Sequence, residues 1–309
     1  MSVVAIVVTY NRLSLLKKCI EHLLKQSAPC DILLVDNASS DGTEEWAKAI
    51  AKTNRQLIYR NTGENLGGAG GFHAGIKWAA ELGYTYLWLM DDDCLPEPDA
   101  LQKIMEADRL LGGAEQYGFL SSTVLWMDGQ ECKMNRQKIR KAYYERVELL
   151  KHGLIQVEQA TFVSLFLPVA TVWKVGLPIR DFFIWGDDIE YTRRIAVRQK
   201  IPCYMVGQSQ VVHAMKENSG SSIAEDEPRR IARYSYAFRN ENYLYRQEGV
   251  KGFAYYTAKC ALNALRTITK AKDYRMARLW VIIRQYFRGL FFNPKIEYIK
   301  DKEINTNEI

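Results

Sequence analysis

Three consecutive carboxylates, Asp91, Asp92 and Asp93, close an apolar and aromatic run that begins at Tyr84. The run, Tyr84-Thr85-Tyr86-Leu87-Trp88-Leu89-Met90, is too short for a helix and rich in β-formers, so it reads as a buried strand. Open α/β sheets gather ligands beyond the C-terminal ends of their strands, which is where these acids fall. Adjacent carboxylates repel one another and require a positive partner. In an extended chain Asp91 and Asp93 share a side, a pairing that suits a hard divalent cation. The competing reading is a solvated acidic turn, with Pro96 and Pro98 just beyond.

A second aromatic stretch, Phe182-Phe183-Ile184-Trp185, leads through Gly186 into Asp187, Asp188 and Glu190. These acids fall at an expected helix start, where one of them would serve as N-cap. Three acids exceed what capping needs. A carboxylate at a helix N-terminus stays ionised unless an apolar wall or an acidic neighbour raises its pKa. Trp185 and Asp187 are placed to do that for Asp188. The glycine-rich segment Asn65-Leu66-Gly67-Gly68-Ala69-Gly70-Gly71-Phe72 reads either as a backbone approach to phosphate before a helix or as packing glycines. It matches neither a dinucleotide-binding fingerprint nor a P-loop. His213 follows an apolar pair, a setting in which histidine is usually structural until a metal is placed beside it.

The elements that must carry these residues follow from periodicity. Val3 to Thr9 predicts a buried parallel strand, Ser14 to Gln26 a helix, Ile32 to Val35 a strand, Thr43 onward a helix capped by Thr43 or Asp41, and Gln56 to Arg60 a strand. This alternation implies a parallel sheet with right-handed crossovers. A helix is expected over 74–82, another from Pro98 to Leu111, a strand over 118–127, and one or two buried strands between 160 and 173. Pro202 to Val206 and Val211-Val212 read as edge strands. Lys133 to Lys151 reads as a basic surface excursion, and Lys216 to Pro228 as a loop free to move.

Composition fits a soluble globular protein, with 48% hydrophobic and 25% charged residues in 309. Six scattered cysteines without a C-x-x-C suggest reduced thiols in the cytoplasm. No basic leader and no membrane-spanning apolar run is expected. The net charge of +6 is uneven: Arg229 to Lys295 holds fifteen Lys/Arg against three Asp/Glu. There, aromatics interleave with basics on expected helices, including Thr257–Lys270 and Tyr274–Phe292. Such a face suits an anionic membrane surface, a helical bundle on the main domain, or a second subunit. Nucleic acid ranks lower, since no recognised motif accompanies the charge. The charged tail from Ile299 is expected to fray.

In this order, Val7-Val8-Thr9-Tyr10-Asn11-Arg12, the loop Asp36 to Thr43, the glycine-rich segment, Met90 to Asp93, Trp185 to Tyr191 and Val211-Val212-His213 resemble family 2 glycosyltransferases of the GT-A fold. The likeness runs from Val3 to His213 and is strongest to bacterial galactofuranosyltransferases, with rhamnosyltransferases next. One departure is Gly186, which stands between the tryptophan and the acid pair. The resemblance implies an α/β fold with a mainly parallel sheet: a transferase domain over 1–228, with a nucleotide half 1–98 and an acceptor half 99–228, then a basic helical region over 229–309. It implies Asp188, aided by Asp187, as catalytic base, and Mn²⁺ or Mg²⁺ on Asp91, Asp93 and His213. Donor contacts carried over are Thr9, Asn11, Arg12, Asp36, Asn65, Gly67, Gly68, Asp91, Asp92 and Trp185. The implied reaction is inverting hexosyl transfer from UDP-galactofuranose, or from dTDP-rhamnose as runner-up, to a lipid-linked glycan at the inner membrane face. From another class, a nucleotide-sugar-binding or scaffold protein without catalysis has the intact acids against it.

Overall fold

The computed structural model describes residues 2–218 and 220–299, so residues 300–309 of the charged tail lie outside the described part. Ten strands form one sheet: β1 (Val3–Thr9), β2 (Asp31–Asp36), β3 (Leu57–Asn61), β4 (Tyr86–Asp91), β5 (Cys94–Pro96), β6 (Leu120–Leu125), β7 (Lys138–Ile139), β8 (Leu154–Gln159), β9 (Leu165–Pro168) and β10 (Tyr204–His213). The helices are α1 (Leu13–Leu24), α2 (Thr43–Thr53), α3 (Gly67–Glu81), α4 (Ala100–Leu111), α5 (Val147–Leu150), α6 (Val169–Val175), α7 (Asp187–Arg193), α8 (Tyr234–Arg246), α9 (Gly249–Lys270) and α10 (Arg275–Phe291).

Strand order is β3-β2-β1-β4-β9-β6-β10-β8-β7, with β5 paired to β10. The first four strands are parallel; β9 then runs antiparallel to β4 and β6. The sheet is therefore mixed: the nucleotide half is all parallel, and in the other half β6 and β10 pair in parallel while β5, β8 and β9 pair antiparallel. One sheet also joins residues 1–98 to residues 99–228. β1 is buried along its whole length, because both faces of the sheet are covered. Val3, Ala5 and Val7 pack under α1, α2 and α4, and Val4, Ile6 and Val8 under α3, α6 and α7.

Four local expectations change. β10 is one continuous internal strand, not two edge strands: it pairs with β6, β8 and β5 and bends at an irregularity between Val206 and Gln210. Residues 169–175 form α6 instead of extending a strand. Gly42, in the left-handed region, takes the cap position of α2, while Asp41 serves two helices: one oxygen accepts the Thr43 amide (3.3 Å) and hydroxyl (2.6 Å) at the start of α2, the other the Leu13 amide at the start of α1 (2.9 Å). α3 begins at Gly67, so the glycine-rich segment is helix. A Cβ on Gly71 would lie 2.5 Å from Val8, and one on Gly75 would lie 2.6 Å from Ile6. Close seating on β1 thus overrides the poor helix propensity of glycine.

The basic C-terminal region is a helical bundle centred on Tyr234, Phe238, Tyr256, Cys260 and Ile282. It is tied to the sheet domain. Phe182 and Ile179 pack against Tyr243 and Phe292, and Glu297 reaches back to His73 (3.1 Å) and Lys77 (2.7 Å). All six cysteines are buried and unpaired.

Candidate active site

Register brings the first acids together. Val8 lies beside Asp91 and Thr9 beside Asp36, so β1, β2 and β4 end at the same edge. The chain turns at Asp92 and Asp93, so the extended geometry that paired Asp91 with Asp93 does not hold. Instead β5 runs back along β10 with Cys94 opposite His213. That pairing sets His213 Nε2 3.1 Å from Asp93 Oδ1. His213 Nδ1 lies 2.8 Å from Asn135 Oδ1, and the Asn135 amide is itself held by donation to Thr161 Oγ1 (2.9 Å). The positive partner the acids require is Arg12. Its Nη2 donates to Asp93 Oδ2 at 2.7 Å. Its Nη1 lies 2.9 Å from Asp92 Oδ1, an ion-pair contact without hydrogen-bond alignment. Thr9 Oγ1 donates to the other Asp92 oxygen (2.7 Å).

Electrostatics divide the three acids. Burial opposes a charge on His213, but the hydrogen bond to Asp93 outweighs it and lifts the imidazole to about 10. Burial likewise opposes charge on Asp93, yet His213 and Arg12 hold it well below the ordinary carboxylate range. Asp91, desolvated and facing the Asp93 charge, is pushed up to about 7. Burial raises Asp92 to about 6 against the pull of Arg12. The donor set fits a divalent cation: an Asp93 oxygen, a His213 nitrogen and the Cys94 sulfur lie within 4.8 Å of one another. Burial keeps the Cys94 thiol protonated, which leaves the carboxylate oxygen and, once a cation displaces its proton, the imidazole nitrogen as ligands, a set suited to Mn²⁺. Asn135 orients the imidazole as an outer-shell partner would.

The second acid pair stands on a strained loop. Phe183 has φ 63° and ψ −61°, and the Ile184 amide donates across it to Phe182 O (2.7 Å), which makes a γ-turn of the costly hand. Trp185 follows at φ 65° and Gly186 at φ 89°. Backbone of this kind persists only where its surroundings over-determine it. Here Asn240 of α8, fully buried, donates to the carbonyls of Phe182 (3.0 Å), Ile184 (3.3 Å) and Trp185 (2.8 Å). Phe183 O accepts the Ala69 amide of α3 (3.1 Å), an approach that needs glycine at 67, where a Cβ would meet that oxygen at 2.1 Å. Gly186 takes the cap position of α7, and Asp188 Oδ1 accepts the Ile189 amide of its first turn (2.7 Å). Burial raises Asp188 to about 6; burial and the neighbouring Asp188 charge raise Asp187 well above the usual range. Behind them Arg194 is held by Glu190 and by the carbonyls of Val175 and Leu177 (2.9 and 3.0 Å).

A cleft of about 600 Å³ joins the two clusters. Arg12, Gly68, Asp91 and His213 line one side, Trp185, Asp187 and Asp188 the other, and Tyr234 and Lys259 of the helical bundle its outer wall. Thr9, Asp92 and Asp93 stand behind that surface in the hydrogen-bond network. Asp36 is fully buried, and its oxygens accept from the Ser39 amide (2.9 Å) and the Tyr59 hydroxyl (2.8 Å). Asn11 accepts the Ser40 amide (2.7 Å), and Asn65 accepts the Gly67 amide (2.9 Å). Two amides at the start of α3 are therefore spoken for, Gly67 by Asn65 and Ala69 by Phe183. The sequence reading missed Asn135 and Asn240. Asn135 lies in the stretch read as surface, yet is buried; Asn240 sits among polar residues with no spacing to mark it.

An open α/β sheet with acids at the ends of β2 and β4, a facing acid pair and one cleft between them is the arrangement of the GT-A fold. Residues 4–109, about a third of the chain, match the model for Glycosyl transferase family 2. Undecaprenyl-phosphate mannosyltransferase of Micrococcus luteus is 37% identical over 111 residues, which span 35% of this chain and 45% of that one. Galactofuranosyltransferase GlfT1 of Mycobacterium tuberculosis is 25% identical over 264 residues, spanning 81% of this chain and 84% of that one. In fold, the crystal structure of GalNAc-T7 with UDP, GalNAc and Mn²⁺ superposes with a TM-score of 0.66 at 13% identity, over 91% of this chain and 54% of that one.

Proposed function

We propose that the protein moves a hexosyl group from a nucleoside-diphosphate sugar to an acceptor hydroxyl with inversion at the anomeric carbon. The observation that carries this is the facing of Asp187 and Asp188 with Asp91 and His213 across one cleft. A carboxyl near pH 6 is ionised at neutral pH and still basic enough to take a proton, which fits Asp188 as general base. Burial and the neighbouring Asp188 charge favour the protonated form of Asp187, the form that donates a hydrogen bond from the same wall. The acceptor oxygen gives its proton to Asp188 and forms the new bond to the anomeric carbon. The bond from that carbon to the diphosphate breaks, and the electron pair leaves with the phosphate oxygen. Asp91, Asp93 and His213 would hold a divalent cation, which when bound supplies positive charge to the leaving diphosphate. Arg12 is placed to supply charge at the same edge.

UDP-galactofuranose is the favoured donor, because the galactofuranosyltransferase likeness spans both the donor strands and the acceptor wall. A mannosyl donor is the second reading, favoured by higher identity confined to about a third of the chain. The acceptor we propose is a lipid-linked glycan at the inner membrane face. Thermal stability with UDP, GDP and dTDP, each with and without Mn²⁺, tests the donor side. A nucleotide at about a hundred times its Kd should add ~2.7 kcal/mol, seen as a rise in Tm. A Mn²⁺-dependent rise with UDP supports the reading; a rise with GDP alone moves it to mannose, and one with dTDP alone to rhamnose. No rise with any of them overturns the site.

A further inference from the structure

α10 buries one side against α8 and α9 and leaves another apolar face in water. Met276, Trp280, Ile283, Phe287 and Phe291 recur at helical spacing on that face, and Met276, Trp280 and Phe291 are 77%, 62% and 84% exposed. The neighbouring α9, joined to α10 through Thr257 and Tyr286, adds exposed Leu262 and Leu265. Single exposed apolar residues are ordinary, but a stripe of this length marks a contact surface. Among the described residues no helix is long and apolar enough to cross a membrane, so a bilayer contact here lies along the surface.

Charge selects the partner. From Gly249 to Lys295 there are ten Lys/Arg and one acid, Asp273. Lys259 is spent on Glu241, and the buried Arg278 on Asp273. Arg266, Lys270, Arg275, Arg284 and Arg288 remain exposed around the stripe. A second copy packed by a two-fold axis would set these cations against themselves. An anionic surface neutralises them while the stripe enters the headgroup boundary. We propose that the α9–α10 face docks on an anionic phospholipid bilayer. Lys259 and Asn263 of α9 line the cleft, whereas Leu262 and Leu265 of the same turns face outward. An acceptor anchored in that bilayer would thus enter the cleft across α9, a clause that rests on the transferase reading.

The test is flotation of the full chain with phosphatidylcholine vesicles, with and without phosphatidylglycerol. Binding to the anionic vesicles alone, weakened by salt, is expected. W280S/F287S and R284E/R288E should each lower partitioning by about tenfold or more, with Tm and the nucleotide response unchanged. The second pair consists of exposed surface charges, and it carries the test should the first unfold. Absence of binding to anionic vesicles overturns the proposal. So does unaltered binding by both variants, or a dimer in sedimentation that W280S/F287S abolishes. The UDP and Mn²⁺ stability assay reports on the donor reading separately, since vesicle binding needs no nucleotide.

Discussion

Asp188→Asn should make the protein more stable and nearly inactive at once. Burial lifts the Asp188 carboxyl from 3.8 to about 6 in the folded chain. Each pH unit of such a difference is worth about 1.4 kcal/mol, so ionised Asp188 costs the fold up to ~3 kcal/mol. The sign follows from linkage: a carboxyl whose folded pKa is raised binds its proton more tightly when folded. The cost is fully present above about pH 6 and vanishes below 3.8. The side chain keeps part of its surface, so the recoverable share is ~1–3 kcal/mol, or about 2–5 °C in Tm for a chain of this length. Scanning calorimetry of wild type and D188N should show this gain at pH 7.5, shrinking steadily toward pH 4. Transfer, followed by mass spectrometry of the acceptor product, should fall by about 10²–10⁴. In the wild type the rate should rise with pH through about 6 as the base ionises. A Tm gap that stays constant with pH, or transfer within tenfold of wild type, would refute the assignment.

Asn240→Leu removes the donor to three carbonyls of the strained loop and should cost ~2–4 kcal/mol by chemical denaturation; Asn240→Asp, which keeps the shape, should lower kcat more than it raises KM. Loss of activity in proportion to loss of folded protein would leave Asn240 with no positioning role. Glu190→Gln strands the Arg194 guanidinium inside the protein and should destabilise by about 3–5 kcal/mol in urea; a cost below 1 kcal/mol would mean that the Val175 and Leu177 carbonyls suffice. Asp93→Ala should abolish the Mn²⁺-dependent part of the nucleotide-induced rise in Tm and also lower the unliganded Tm, because His213 and Arg12 lose their counter-charge; an unaltered Mn²⁺-dependent rise would remove Asp93 from the cation site.

What was legible in the sequence was whatever periodicity records. β1 and β4 are continuous apolar runs because both faces of the sheet are covered, and acids at the end of such a run fall at the ligand edge. His213 could be joined to the acids only through family likeness, since its approach to Asp93 depends on the short antiparallel pairing of β5 with β10. β10 looked like two edge strands because Gly207, Gln208, Ser209 and Gln210 interrupt its apolar alternation where it bends. α3 looked shorter than it is because propensity weighs glycine against helix, while the need to sit close on Val8 and Ile6 is tertiary. The two buried amides, Asn135 and Asn240, left no trace, since an isolated asparagine in a polar stretch has no pattern until its partners are folded around it.

The clamp of Asn240 on the loop from Phe182 to Trp185 bears on modularity. The helical region reads as a detachable part, yet one of its side chains finishes the wall that carries the acid pair. A chain cut after residue 228 would keep the sheet, Arg12 and the acids of the β4 turn, while the loop lost its buried donor. Grafting another terminal bundle onto this sheet to change where the enzyme works, or on what, would therefore need an amide donor in the same place. The bundle and the loop that carries the acid pair are thus held together through one amide, and exchange of the bundle at the 228 boundary should yield chimaeras whose sheet folds but whose acid pair is misplaced unless a donor stands where Asn240 does.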